Sequence, residues 1–231
     1  MFTGFLKLLL YLLLPALANI AGPREHSLKT ITDIEDFMQS YYQHPRPELI
    51  EDLIEALPSS GYLKKLNNAA GVIGFFSEVF ATNPARISQW QALIAKQEEQ
   101  TKAPLGAALS MSKAGGVLNL EGHSAELNDE YWGAFFASGN PKFIARLVDQ
   151  LRYFDERNDE PLFFAGGTAK WSLASNAQTQ SRVRSAIEQA KLKADNRTQE
   201  LIADLLAKDP ESIKQEMIEI IRVQKESGKW R

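Results

Sequence analysis

The residues of this chain best suited to chemistry are its three histidines: His26, His44 and His123. Only His123 has several acidic residues near it in the sequence, namely Glu121, Glu126 and Asp129. A metal site needs two or three converging ligands, and no two histidines have the four-residue spacing of a helical zinc pair. We therefore expect structural or surface roles for the histidines and no metal site, with a hydrolase that uses the acids near His123 as an alternative.

Acidic residues occur in groups, and glycosidases use two carboxylates placed across a sugar. The groups are Asp33, Glu35 and Asp36, then Glu51, Asp52 and Glu55, then Asp129 and Glu130. Most of these residues fall in the first turns of predicted helices, where a negative charge complements the helix dipole. The others lie opposite an apolar stripe, as solvated charges do. We expect no catalytic residue among them.

Nucleophile and phosphate-binding motifs are missing from the sequence. The chain contains no cysteine, which excludes thiol catalysis and cysteine-rich metal sites. Ser110 and Lys113 have the Ser-x-x-Lys spacing of penicillin-binding enzymes, but the accompanying Ser-Asp-Asn and Lys-Thr-Gly elements are missing. There is neither a Gly-x-Ser-x-Gly elbow nor a glycine-rich phosphate loop. The sequence therefore predicts a protein that is not an enzyme and carries no cofactor.

The N-terminus is typical of an export signal. Residues 1–18 contain Lys7, an apolar run from Leu8 to Leu14, and Ala16-Leu17-Ala18. The run from Leu8 to Ala18 is about half of the ~20 residues that span a bilayer, although a retained anchor is the alternative. We expect a signal peptide at 1–18, cleaved near Ala18, a flexible lead at 19–31, and a periplasmic or secreted bacterial protein that meets the membrane only through the signal.

The composition is that of a folded protein without a nucleic-acid surface. Hydrophobic residues make up 44% and charged residues 24% of 231 residues, and the formal net charge is −3. Nucleic-acid binding usually shows as a clustered basic face, and here acidic and basic residues alternate. We expect no nucleic-acid partner.

Helical periodicity appears early and is interrupted by proline corners. Ile34, Phe37, Met38 and Tyr41 recur at i, i+3, i+4 and i+7, and Thr32 with Glu35 has the spacing of a capping box. The pattern stops at His44-Pro45 because the residue before a proline is disfavoured in α geometry. Similar corners occur at Asn83-Pro84 and Asn140-Pro141, where asparagine can cap and proline suits the first helical position.

These corners predict an all-α fold, an irregular, α-solenoid-like array of antiparallel helical hairpins with about 9–11 helices. We expect a single domain over 32–231. Its hairpins are predicted at about 32–58, 66–100, 127–154 and 161–195, with C-terminal helices over about 197–227. The aromatic residues Trp132, Phe135, Phe136, Phe163, Phe164 and Trp171 are predicted to be core residues, with the lining of a ligand groove as the alternative. Gly166-Gly167 either bends the backbone or allows close helix packing.

The repeated helix–corner–helix pattern with aromatic anchors resembles the helical-hairpin repeat proteins of the tetratricopeptide and Sel1-like kind. The resemblance covers about residues 32–195 and departs from the fixed period of those families. It implies a scaffold whose surface binds a protein or peptide. We therefore expect an exported, non-enzymatic binding or scaffolding protein of unknown oligomeric state; an exported inhibitor or immunity-type protein is the alternative.

Aromatic residues are the most suitable candidates for partner binding. Tyr41 and Tyr42 are adjacent on one helix and cannot both face inward, so one of them should be exposed. Tyr131 and Trp132 form a second adjacent pair. We expect any exposed member of these four to lie on the docking surface and to act as a binding hot spot.

Overall fold

The computed structural model describes residues 28–66 and 69–230, and in this part of the chain it is all-α, with no strand. The predicted fold class is confirmed, and the described residues form twelve α-helices, one more than the upper end of the predicted range. They are α1 (Ile31–Ser40), α2 (Ile50–Ser60), α3 (Tyr62–Leu66), α4 (Ala69–Thr82), α5 (Ile87–Ile94), α6 (Glu99–Lys113), α7 (Ala125–Ser138), α8 (Pro141–Gln150), α9 (Glu160–Thr179), α10 (Ser181–Lys191), α11 (Asn196–Ala207) and α12 (Pro210–Glu226). The solenoid-like arrangement stays a prediction.

The proline corners lie where the sequence predicted them. Pro141 is the first residue of α8, and Pro84 opens a short 3-10 turn, Pro84–Arg86, that leads into α5. The capping role of Asn83 is different from the predicted one. Its side-chain amide donates to the carbonyl of Val79 at 2.8 Å, so it caps the end of α4 and not the start of the next helix.

The first helix begins two residues earlier than the predicted capping box implied. Thr30 is the N-cap, and its hydroxyl accepts from the backbone N–H of Asp33 at 3.1 Å. The Asp33 carboxylate in turn accepts from the backbone N–H of Thr30 at 2.8 Å. The Thr32–Glu35 box is therefore wrong by two residues, because Thr-x-x-Asp fulfils the same reciprocal bonding two positions earlier.

The chain divides into two compact units. The first comprises the described residues up to Leu120 together with Trp132–Asn140, and the second comprises Glu121–Tyr131 and Pro141 onwards. Helix α7 therefore contributes its first half to the second unit and its second half to the first. The prediction of one domain over 32–231 stays a prediction, since units that share a helix can still unfold together.

The first unit is built around aromatic rings of α4. Phe75, Phe76 and Phe80 are fully buried, and successive ring centroids lie 5.5 Å and 5.4 Å apart. Trp90 of α5 continues the series at 5.6 Å from Phe80. The apolar stripe of α1 packs on the same core, with Tyr41 5.2 Å from Phe75 in an edge-on arrangement. The core positions predicted in α1 are thus confirmed.

Helix α9 is the central element of the second unit and packs against α8, α10, α11 and α12. Gly166 allows this packing at the 3-10 turn Leu151–Asp155, because a Cβ on Gly166 would lie 2.8 Å from the Cα of Phe154. Gly167 similarly faces the side chain of Met217 on α12. Of the two predicted roles for Gly166-Gly167, close packing is the one observed.

We expect the two units to unfold in a single transition. Residues 125–131 and 132–138 of α7 belong to different units, so unfolding either unit removes the support of half of this helix. Differential scanning calorimetry should then give a van't Hoff enthalpy equal to the calorimetric enthalpy. Two resolved transitions would show that the units are independent domains.

The predicted signal peptide at 1–18 and most of the lead at 19–31 lie outside the described residues. In residues 28–66 and 69–230, no helix combines the length and the apolar character that a membrane span requires.

Candidate functional site

His123 is held by two neutral side chains of the second unit. Its Nδ1 lies 3.2 Å from the amide oxygen of Gln150, and its Nε2 lies 2.8 Å from the hydroxyl of Tyr153. Because an amide oxygen can only accept, Nδ1 carries a proton and, in the neutral ring, Nε2 accepts from Tyr153. Both nitrogens are therefore engaged by partners other than Glu121, Glu126 or Asp129.

The sequence did not predict the partners of His123, since Gln150 and Tyr153 come from a distant part of the chain. Gln150 is buried at the end of α8, and Tyr153 is partly buried in the following 3-10 turn. The arrangement fixes the loop before α7 to the end of α8. The alternative of a hydrolase that uses the acids near His123 stays a hypothesis. The hydrogen-bond partners of His123 in the structure are Gln150 and Tyr153 and not these acids.

The acidic residues near His123 form a cluster of their own, which we call the acidic triad: Glu126, Asp129 and Glu130 of α7. Burial, with repulsion from Glu126 and Glu130, raises the pKa of Asp129 to about 7. Burial, with repulsion from Glu126, raises the pKa of Glu130 to about 7 as well. Two carboxyls that titrate near neutral pH are the most perturbed acids in the described chain.

The remaining histidines do not add to a site. His44 is exposed in the turn after α1, and His26 lies outside the described residues. In the part of the chain that the structure describes, no group of three or more histidine, aspartate or glutamate side chains is arranged to hold a metal ion.

The two adjacent tyrosines of the first unit face different ways, as their positions on consecutive helical residues require. Tyr41 is buried between Phe37 and Phe75, with ring centroids 5.6 Å and 5.2 Å away. Burial, with a smaller contribution from Glu48, raises the pKa of Tyr41 to about 12. Tyr42 is only partly buried. Tyr41 is therefore a core residue, and Tyr42 is the member of the pair that reaches the surface.

Tyr131 and Trp132 are both buried, at 2% and 7% exposure. They are too buried to be the exposed hot spots that we expected among the four aromatic residues, and the same is true of Tyr41. All residues of α7 from Tyr131 to Phe135 are buried, so the side chains of Tyr131 and Trp132 are not accessible to solvent on either face of the helix. Only Tyr42 of the four predicted residues can contact a partner directly.

Tyr42 belongs to an aromatic cluster that the sequence did not reveal as a unit: Tyr42, Trp132, Phe135 and Phe136. The Tyr42 and Phe135 ring centroids lie 5.2 Å apart, and Trp132 stacks on Phe136 at 5.5 Å. The backbone N–H of Tyr42 donates to the carbonyl of Phe136 at 2.9 Å. Phe135 is fully buried, whereas Phe136, which was predicted in the core, is only partly buried like Tyr42.

The first unit also carries an acidic stripe on the outside of α2 and the turn before it: Glu48, Glu51, Asp52 and Glu55. The inward positions of α2 are apolar and fully buried, among them Ile50, Leu53 and Ile54. Glu51 is partly buried and the other three carboxylates are exposed. Across residues 28–66 and 69–230, no lysine or arginine forms an ion pair with this stripe.

The chain was compared with known protein families, with curated proteins and with solved structures, and none of these comparisons gave a significant match. Its function must therefore be inferred from its own residues and their geometry.

Proposed function

We propose that this protein is an exported, non-enzymatic binding or scaffolding protein of the bacterial envelope, and that its partner is another protein. The observation that carries the proposal is the aromatic cluster, in which Tyr42 and Phe136 reach the surface while Phe135 and Trp132 support them from below. Tyrosine and tryptophan are the residues most enriched in binding hot spots, and hot spots lie in well-packed surroundings.

The cluster is pre-organised for binding. The hydrogen bond from the Tyr42 N–H to the Phe136 carbonyl fixes the backbone of both surface residues relative to each other. The contacts with Phe135 and Trp132 restrict the rings. A side chain that is already ordered loses little conformational entropy when a partner binds, so more of the contact energy appears as affinity.

The acidic stripe indicates the character of the partner. Its four carboxylates belong to the same unit as the aromatic cluster, and no cation of the described chain pairs with them. Complementary charge accelerates association and selects among partners. The partner surface should therefore be basic, and its affinity should fall as salt is added, since screening weakens attraction between exposed charges.

Substitution of Tyr42 by alanine should weaken partner binding by about 2 kcal/mol or more, which is roughly 30-fold in Kd. The protein itself should lose only about 1 kcal/mol of stability, because the ring is partly exposed. The partner is isolated by pull-down from periplasm with the wild-type chain, and its Kd for the wild type and the variant is then measured by calorimetry.

Leu192→Ala is the matched control, since Leu192 is 83% exposed and belongs to the second unit. It removes exposed apolar surface that does not belong to the cluster and should leave the Kd unchanged. If Tyr42→Ala binds the partner as tightly as the wild type does, the aromatic cluster is not the docking surface.

A further inference from the structure

The acidic triad places three like charges on one side of α7, at positions i, i+3 and i+4. Asp129 and Glu130 are partly buried and Glu126 is exposed. Like charges at this spacing destabilise a helix, and the effect grows when the groups are withdrawn from water. In the described part of the chain none of the three carboxylates forms an ion pair or a side-chain hydrogen bond.

Around this part of α7, no lysine or arginine of the described residues forms an ion pair with the acidic triad. On the α9 side the contacts are neutral, because the Asn128 amide donates to the Ala165 carbonyl at 2.8 Å and to the Thr168 hydroxyl at 2.9 Å. On the α8 side, Arg146 and Asp149 act on Tyr131 with opposite signs. In the preceding loop, His123 is held by the side chains of Gln150 and Tyr153.

We propose that the first half of α7 is a proton-dependent element of the fold, which is well ordered when the acidic triad holds protons and opens locally when it loses them at mildly alkaline pH. The inference concerns residues of the second unit and is independent of the proposed partner binding.

The direction follows from linkage. An acid whose pKa is higher in the folded than in the unfolded chain binds its proton more tightly when folded, so the folded state is favoured while that proton is present. This contribution is complete below the unfolded pKa of about 4 and is lost as the pH rises through the folded pKa. For Asp129 and Glu130 the folded pKa is about 7. The stabilisation of the folded state therefore decreases as the pH rises above about 4 and is lost above about pH 7.

Hydrogen exchange of the full chain tests the proposal. After correction for the intrinsic pH dependence of exchange, protection of the amides of residues 127–131 should fall at least about tenfold between about pH 6 and about pH 8.5. The double variant Asp129→Asn, Glu130→Gln should keep its protection at both pH values. Glu188→Gln, at an exposed acid of α10, is the matched control and should behave like the wild type.

A second measurement reads the protons directly. In a carboxyl ¹³C NMR titration, Asp129 should show a midpoint near pH 7, and an isolated midpoint near about pH 4 would overturn the proposal. Protection that does not change with pH in the wild type would also overturn it. The same holds if the pH dependence persists in the double variant, because the responsible protons would then be elsewhere.

Discussion

Alanine at Gly166 should lower the free energy of unfolding by about 3 kcal/mol or more, although the change adds only one methyl group. The added Cβ would lie 2.8 Å from the Cα of Phe154 and closer still to the backbone atoms that join Tyr153 to Phe154. Backbone cannot rotate away as a flexible side chain can. Helix α9 and the 3-10 turn Leu151–Asp155 would therefore have to separate, and contacts on both sides would be lost.

Gly106→Ala is the matched control for this substitution. Gly106 is also inside a helix, α6, but a Cβ there would have no heavy atom within 4 Å. Alanine should therefore stabilise the protein by about 0.5–1 kcal/mol, since it restricts the unfolded chain without a clash. Urea unfolding of the two variants should move the midpoints in opposite directions. A midpoint for Gly166→Ala equal to or above that of the wild type would mean that α9 does not approach the turn as closely as described.

The features that the sequence predicted correctly are those that depend on residues close together in the chain. The apolar stripe of α1 and the corner at Asn140-Pro141 both follow from local spacing and backbone preference, and the structure has them. Gly166 could not be assigned one role in the same way. The atoms that exclude a Cβ there come from another element, and no local pattern identifies them.

The candidate site shows the same limit. Adjacency on a helix predicted that one of Tyr41 and Tyr42 is exposed. Tyr41 is buried and Tyr42 is partly buried, so Tyr42 is the more accessible of the two. Adjacency alone did not predict that Tyr131 and Trp132 are both buried, because a helix enclosed on most sides buries neighbouring positions together. The association of Tyr42 with Phe135 joins α7 to the turn after α1, and only the tertiary structure reveals it.

Lys170 illustrates a feature that no local pattern indicated. Its side chain is 1% exposed in α9, yet its ammonium lies 2.7 Å from Asp204 of α11 and 3.3 Å from Glu216 of α12. Lys208 bridges the same two carboxylates at 2.9 Å and 3.1 Å. The Lys170 ammonium also lies 3.9 Å above the ring of Phe154. These contacts neutralise a buried charge and join three helices of the second unit.

The double substitution Asp204→Asn, Glu216→Gln should therefore cost about 3–5 kcal/mol, the usual loss when a buried charge is left without its partners. Lys208 would lose the same carboxylates but is 41% exposed, so water can solvate it. Adding Lys170→Met to the double variant should recover most of the loss, because a methionine of similar volume needs no counter-charge. Urea unfolding of the three proteins measures both steps.

Glu219→Gln, Glu226→Gln is the control, since it removes both carboxylate partners of Arg222 on the exposed face of α12. Surface pairs contribute little, so this variant should stay within about 1 kcal/mol of the wild type.

The pH dependence gives a further check. Burial acts to raise the pKa of Asp204, but hydrogen bonds from Lys170 and Lys208 outweigh it, and the pKa lies below its usual value. An acid with a lowered folded pKa stabilises the protein above its unfolded pKa, and this stability is lost as the pH falls through the folded pKa. The cost of removing Asp204 should thus be full at neutral pH and shrink below about pH 4. A cost that is small at neutral pH, or that Lys170→Met does not relieve, would show that the buried ammonium does not depend on these carboxylates.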